Sequence, residues 1–572
     1  MFSVRSKQTS CLYTRDRVRL DADVYYPDSD AEFPVLLMRQ PYGRSIASTV
    51  VYAHPSWYAA HGYIVVIQDV RGRGTSEGIF DLFAHEREDG EDTIAWAANL
   101  PQSNGQVGMY GFSYQGMTQL YAAAAQPPAL KTICPAMTAY DLYQDWAYEG
   151  GAFCYQMNLS WAIQLAAETA RRQNNVETYH TLYAASRNPP LSDPVCARSG
   201  ILRRLAPDSH YHTWLDRADA SDPYWRHLSP SLLLHNTDLP MLHIGGWFDT
   251  YLRGTLKLYN HMASRSQFPQ HLVVGPWAHL PWGRRVGAID YGPESNSPID
   301  RLQLRWFDQV LKGIDTGLLN EAPVCLFEMG TNQWRQFDRF PPDHPETFYF
   351  LQTTGLASLD DRAGTLTQSP PPHPQPSTPD TFVHDPWRPV PALGGHAAFP
   401  AGSFDRSNID CRSDVVTYTS APLETDLHLA GATTIELYCT ADTASFDVCA
   451  ILSEVKPDGS VFNFSQGYLY IHQPVGKVEM PAAASQSPSQ SPMPAPQPLT
   501  PHLLTLQPTC ICIPQGSAIR LSLSGACFPA YAVNAGTGDR SGQGRLMDAR
   551  VITVTIYSDG DQASQLQLPV IP

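Results

Sequence analysis

The sequence predicts an α/β protein with a mostly parallel sheet, a helical insertion and a β-rich C-terminal sandwich, and three observations carry that expectation. Continuous apolar runs at residues 34–38 (Pro-Val-Leu-Leu-Met), 63–68 (Tyr-Ile-Val-Val-Ile-Gln) and 107–110 (Val-Gly-Met-Tyr) alternate with helix-like segments, the pattern of strands covered on both faces. From 138 to 236 that alternation stops, tyrosine and tryptophan become frequent, and no buried-strand run appears. Beyond about 345 the chain turns to short alternating segments separated by turn residues.

In chain order, residues 18–26 (Val-Arg-Leu-Asp-Ala-Asp-Val-Tyr-Tyr) alternate as a half-exposed antiparallel strand does, and 89–100 reads as a helix. At 103–116 the apolar run ends in Gly111-Phe112-Ser113-Tyr114-Gln115-Gly116 and passes into the Ala-rich segment 117–125. Glycines on both sides of Ser113 allow a tight strand-to-helix turn that presents its hydroxyl, although Gln115 stands where G-x-S-x-G has its last glycine. Residues 130–135 form another short strand. The 138–236 insertion, with helical Ala-Ile-Gln-Leu-Ala-Ala-Glu-Thr-Ala from Ala162, is expected to cap the active site; a separate binding domain is the alternative. The α/β pattern resumes in a strand over 239–249 that ends in Gly245-Gly246-Trp247-Phe248-Asp249, a helix over 252–262, a strand over 270–279 that ends in Gly275-Pro276-Trp277-Ala278-His279, and an amphipathic helix over 301–312. Segments at 348–351, 415–419, 434–440, 446–455 and 519–524 suit an all-β sandwich of jelly-roll type. The Pro/Ser/Gln-rich stretches 369–379 and 481–498 are expected to be loops or linkers, the second disordered. The expected domains are therefore 1–138 and 237–344 for the α/β core, 139–236 for the cap and 345–572 for the β domain.

A chain of 572 residues is too long for one ordinary core. With 39 basic against 55 acidic residues its formal net charge is −16, which argues against nucleic acid or an anionic membrane as partner. No apolar stretch follows the charged start, and none reaches the length of a membrane span, so a cytoplasmic location is expected. Eleven cysteines without a CxxC pair fit reduced thiols rather than a disulfide framework or zinc site; Cys510 and Cys512 would share one face of a strand as core residues. The glycine-rich loop 69–78 misses the G-x-G-x-x-G spacing, and nucleotide binding is not expected.

Acyl transfer by a serine needs a base for its proton, an acid to orient that base, and donors for the developing oxyanion. Ser113, Asp249 and His279 each follow an apolar run and occur in the Ser…Asp…His order of the α/β-hydrolase fold. His243 and His271 lie within or at the start of strands, poorly placed to reach the serine. The amide of Tyr114 follows the nucleophile, and Tyr42, in the loop after an earlier strand, could offer its phenol as second oxyanion donor or simply pack.

The pieces Val18-Arg19-Leu20-Asp21-Ala22-Asp23-Val24-Tyr25-Tyr26-Pro27, Gln68-Asp69-Val70-Arg71-Gly72-Arg73-Gly74, Gly108-Met109-Tyr110-Gly111-Phe112-Ser113-Tyr114-Gln115-Gly116, the two turns ending in Asp249 and His279, and Phe382-Val383-His384-Asp385-Pro386 span nearly the whole chain. Together they resemble the CocE/NonD hydrolases, a family that includes cocaine esterases, α-amino acid ester hydrolases and, more distantly, X-Pro dipeptidyl peptidases. There the elbow has its glycine one place later, as here. The resemblance implies an α/β-hydrolase core with helical cap and C-terminal jelly roll. It places nucleophile, acid and base on Ser113, Asp249 and His279, puts the oxyanion donors on the Tyr42 hydroxyl and Tyr114 amide, and implies no metal and no organic cofactor. The expected activity is hydrolysis of a small-molecule carboxylic ester, or an amide. An X-Pro dipeptidyl aminopeptidase, or a binding protein with a vestigial hydrolase core, stands as alternative. Relatives that recognise a substrate ammonium use clustered carboxylates, for which Asp141, Asp145 and Glu149 are the candidates here.

Overall fold

The apolar runs of the N-terminal half meet in one ten-stranded sheet, in a computed structural model that describes residues 1–45, 49–370, 378–473, 499–559 and 562–572. Its strands are β1 (Gln8–Tyr13), β2 (Arg19–Tyr25), β3 (Phe33–Gln40), β4 (Ile64–Asp69), β5 (Ser103–Phe112), β6 (Leu130–Ala136), β9 (Met241–Phe248), β10 (Gln270–Ala278), β13 (Val324–Glu328) and β14 (Gln333–Phe337). Two-residue hairpins, β7 (Tyr148–Glu149) with β8 (Ala152–Phe153) and β11 (Arg285–Val286) with β12 (Ile289–Asp290), lie outside it. The sheet order is β1-β2-β4-β3-β5-β6-β9-β10-β13-β14. Pairing is parallel from β4 through β13, while β1 and β2 at one edge and β14 at the other run antiparallel. β3, β4, β9 and β10 are buried along their whole length, which is why the sequence shows them as unbroken apolar runs.

Helices α1 (Pro55–Ala60), α2 (Glu86–Ala98) and α3 (Tyr114–Ala124) belong to the first half of this layer structure, and α10 (Leu252–Ala263) and α11 (Ile299–Lys312) to the second. Between β6 and β9 stand six more: α4 (Tyr155–Arg172), α5 (Val176–Arg187), α6 (Gly200–Leu205), α7 (His210–Asp216), α8 (Pro223–Leu228) and α9 (Pro230–Leu233). The β7–β8 hairpin also falls in this insertion, where the sequence showed no strand; two-residue strands leave no periodicity to read. Its turn residue Gly150 has φ +53, and a Cβ there would sit 1.9 Å from the Tyr468 carbonyl oxygen. The hairpin tip therefore presses backbone to backbone on the C-terminal unit, and Tyr470 N–H donates to Gly150 O at 2.8 Å.

From Thr347 the chain is β-rich, with one large sheet and a three-stranded sheet of Leu427–Gly431, Thr509–Ile513 and Val570–Ile571. The longest pair is Ser445–Val455 against Val461–His472. Cys510 and Cys512 are buried. The expected disordered stretch 481–498 and most of 369–379 lie outside the described residues. The C-terminal unit does not stand apart from the α/β layer: Trp247, Leu252 and Leu272 share one apolar cluster with Leu429, Ile511 and Ile513. Met329 joins the backbones, donating to Cys510 O at 3.0 Å and accepting from Cys512 N–H at 2.8 Å. Among the described residues no helix is long and apolar enough to cross a membrane. Leu36, fully buried at the centre of β3, tests the core: Leu36→Ala is expected to lower stability by about 2–5 kcal/mol, read as a lower denaturant midpoint.

Candidate active site

Ser113 sits between β5 and α3 with φ 61 and ψ −125, a conformation that side chains avoid and that costs about 1–3 kcal/mol. The surroundings hold it there. Its N–H donates to the carbonyls of Ala136 and Met137 at 2.9 and 3.2 Å, and Thr138 Oγ1 donates to Ser113 O at 3.0 Å. The departure from G-x-S-x-G also has a cause. A Cβ at Gly116 would meet Thr138 Cβ at 2.7 Å, so the close approach of helix and strand requires glycine at that later position, while the Gln115 side chain accepts the Phe112 N–H at 3.2 Å.

Asp249 and His279 follow the carboxyl ends of β9 and β10, whose register pairs Phe248 with Ala278. The next residue of each strand end is thereby brought side by side, and His279 Nδ1 lies 2.7 Å from Asp249 Oδ1. Asp249 is fully buried, its second oxygen accepting the Tyr251 N–H at 3.1 Å, whereas the imidazole is 19% exposed. The ring of Phe112, next to the serine, lies 5.4 Å from the His279 ring, so both reach the same rim of the sheet. Among the described contacts His279 bonds Asp249 and not Ser113. His243 instead bonds Gln270 inside the sheet and His271 packs on Trp306 at its far end, as their strand positions predict.

Tyr42 lies in the loop after β3, where its N–H donates to Gln40 Oε1. Trp161 Nε1 donates to its phenolic oxygen at 3.1 Å; because indole N–H only donates, the Tyr42 proton remains available to another acceptor. Burial pushes this phenol up to about 12, against the opposing pull of Trp161, the Arg73 charge and the Ser113 hydroxyl. The Tyr114 N–H, in the first turn of α3, has no acceptor among the described residues, as helix starts leave their first amides. Its hydroxyl donates to Glu86 Oε1 at 2.8 Å; burial raises the Glu86 carboxyl despite its ion pair with fully buried Arg39. This pair ties β3, α2 and α3 together beneath the serine.

A chain of rings walls the site. Trp161 touches Trp146 at 5.1 Å, Trp146 touches Tyr251 at 4.4 Å, and Tyr251 touches His279 at 5.0 Å. Arg73, almost wholly buried, stacks on Phe80 and donates to Leu165 O and Thr169 Oγ1, with no ion pair among the described residues. Burial lowers its guanidinium to about 10. Trp161 carried no motif signal, being one tryptophan among many in the insertion; Arg73 lies in the quoted piece 68–74, but nothing in the sequence singled it out from Arg71 for a role at the site.

Two of the three candidate carboxylates, Asp145 and Glu149, are ion-paired within the chain, and Asp141 caps a turn. Asp141 Oδ1 accepts Gln144 N–H, and Asp145 takes Lys257 Nζ at 2.6 Å and the amides of Tyr140 and Asp141. Glu149 binds Arg253 at 3.0 Å, His396 at 2.8 Å and the Tyr531 hydroxyl. Burial alone would raise Glu149, but Arg253, His396 and Tyr531 outweigh it and hold the carboxyl at about 2. A carboxyl depressed on folding contributes stability fully above its ordinary value of 4.5 and loses it as pH falls toward 2. Glu149→Gln is therefore expected to flatten the acid limb of stability between those values, followed by urea unfolding across pH.

Among the described residues no group of three or more His, Cys, Asp or Glu is placed to hold a metal ion. Two family models match in tandem, X-Pro dipeptidyl-peptidase (S15 family) over residues 16–281 and X-Pro dipeptidyl-peptidase C-terminal non-catalytic domain over 316–567. Cocaine esterase from Rhodococcus sp. (strain MB1 Bresler) is 29% identical over 579 residues, 97% of each chain. Two solved structures share the fold. An aminopeptidase from the marine sediment archaeon Thaumarchaeota archaeon has a TM-score of 0.79 at 20% identity, and an α-amino acid ester hydrolase 0.76 at 22%; each comparison covers 100% of this chain and 97% of the other. The tandem match, running through both the α/β layer and the C-terminal unit, places the chain in the CocE/NonD, X-Pro dipeptidyl-peptidase-like family: it is a serine hydrolase with an α/β-hydrolase core and a C-terminal β domain.

Proposed function

We propose that the protein cleaves carboxylic esters through an acyl-enzyme on Ser113. The observation that carries this reading is the buried Asp249–His279 bond beside a strained serine, in a site walled by aromatic rings where Asp145 and Glu149 are already paired with cations of the chain itself. Asp249 accepts a hydrogen bond from Nδ1–H, which leaves the unprotonated Nε2 of His279 as the base. Nε2 takes the Ser113 proton as Oγ attacks the ester carbon, and the Tyr42 hydroxyl and Tyr114 N–H receive the oxyanion. The C–O bond to the alcohol then breaks with the proton returned by His279, and water repeats the sequence to release the acid.

An aminopeptidase or amino-acid ester hydrolase must hold a substrate ammonium. Asp145 and Glu149 are committed to Lys257 and Arg253, and the charge left unpaired near Tyr42 is the cation of Arg73, which repels an ammonium. The ring-lined wall favours an apolar or aryl acyl group. On this reading residues 1–138 and 237–344 form the catalytic core, 139–236 its cap and 345–572 a jelly roll. A cytoplasmic setting remains our reading, on eleven scattered cysteines without a CxxC pair, a pattern that suits reduced thiols.

Wild type is expected to react with a fluorophosphonate probe and to cleave p-nitrophenyl esters in preference to Xaa-Pro-anilides, while Ser113→Ala and His279→Ala do neither; preference for the anilide would overturn the esterase reading. Tyr42→Phe, which keeps the ring and removes the donor, is expected to lower kcat about 100-fold to 1,000-fold with the fold retained.

A further inference from the structure

We propose that Gln507, a residue of the C-terminal β domain, is a positioning residue for the catalytic acid, an inference that rests on the triad reading above. Gln507 is 2% exposed, and both of its amide protons are used on the loop that carries Asp249: Nε2 donates to Trp247 O and to Asp249 O, each at 2.9 Å. Its Oε1 faces Arg253 Nη1 at 3.4 Å. A cation on one side and two carbonyls on the other determine which way the amide points.

The strut is anchored at its base. Gln507 N–H donates to Gln466 O at 2.8 Å, and Ser465 Oγ donates to Gln507 O at 2.6 Å, so the neighbouring strand Val461–His472 fixes its backbone. Arg253 is fixed in turn by Glu149, which also takes His396 Nε2, so the β7–β8 hairpin, α10 and the C-terminal domain converge on one buried cluster behind the acid. On the side toward β10 the loop has no slack, because a Cβ at Gly246 would lie 2.4 Å from Trp277 O. From within its own turn Asp249 O receives only the longer bond from Leu252 N–H, at 3.2 Å. The Tyr251 N–H holds the carboxylate itself, at 3.1 Å, and the β domain holds the backbone that carries it, so the domain that contributes no reacting atom shares in the geometry of the acid.

Two variants test this in the full-length protein. Gln507→Glu keeps length and strengthens the attraction to Arg253 while removing both donors; Gln507→Met keeps volume and removes donor and acceptor together. For both, kcat on p-nitrophenyl acetate is expected to fall about tenfold to a hundredfold with KM within about twofold, and fluorophosphonate labelling to slow in parallel, in protein whose far-UV CD matches wild type. If Gln507 only docks the domains, Gln507→Glu retains wild-type kcat, and that result overturns the proposal. A wild type that neither labels nor hydrolyses the ester would instead sink the esterase reading, so the two failures are distinguishable.

Discussion

The short bond between His279 and Asp249 exists because β9 and β10 run parallel and end in step. Parallel strands present all their carboxyl ends on one edge of the sheet, and side chains that follow those ends converge without any long loop to place them. Ser113 reaches the same edge from β5, two strands away in the sheet order, through a turn so sharp that its backbone is strained. Everything else in the molecule supports that edge: the insertion lays rings over it, and the C-terminal domain braces it from behind.

Charge is handled in the same spirit. The molecule buries Arg39, Arg73, Glu86, Asp249 and Glu149 around the site, and all but one of the carboxylates and cations have a committed partner. Such pairs add little net stability but fix geometry, since removing one partner leaves a costly buried charge. The exception is Arg73, whose charge is felt by the Tyr42 phenol, the oxyanion donor of the proposed mechanism. An unpaired buried cation there is costly at rest and is compensated when an oxyanion forms.

Much of the core was legible in the sequence because its central strands are buried on both faces and therefore unbroken in apolar character, as in Ile64–Asp69. The edge strands β1 and β14 were not: they are short and largely exposed, and Gln333–Phe337, with Gln, Arg and Gln among its five residues, looks like a loop. Ser113, Asp249 and His279 stood out as candidates because each ends such a run. The partners of Tyr42 and Asp249 were not, since Trp161 and Gln507 act through contacts 119 and 258 residues away in sequence, and no local pattern encodes such a distance. Glu149 shows the reverse error of reading: an acid near the expected site looked available to substrate, and the fold spends it on Arg253 and His396.

The separation of 258 residues between Asp249 and Gln507 also has a consequence in time. A chain is made from its N-terminus at about 5–20 residues per second, so the acid loop emerges roughly 13–50 s before the amide that braces it. The apolar cluster shared by Trp247, Leu272 and Ile511 is likewise open for that interval. Until the C-terminal unit is made, the α/β layer lacks both the amide that meets the Asp249 loop and the apolar face that covers Trp247 and Leu272.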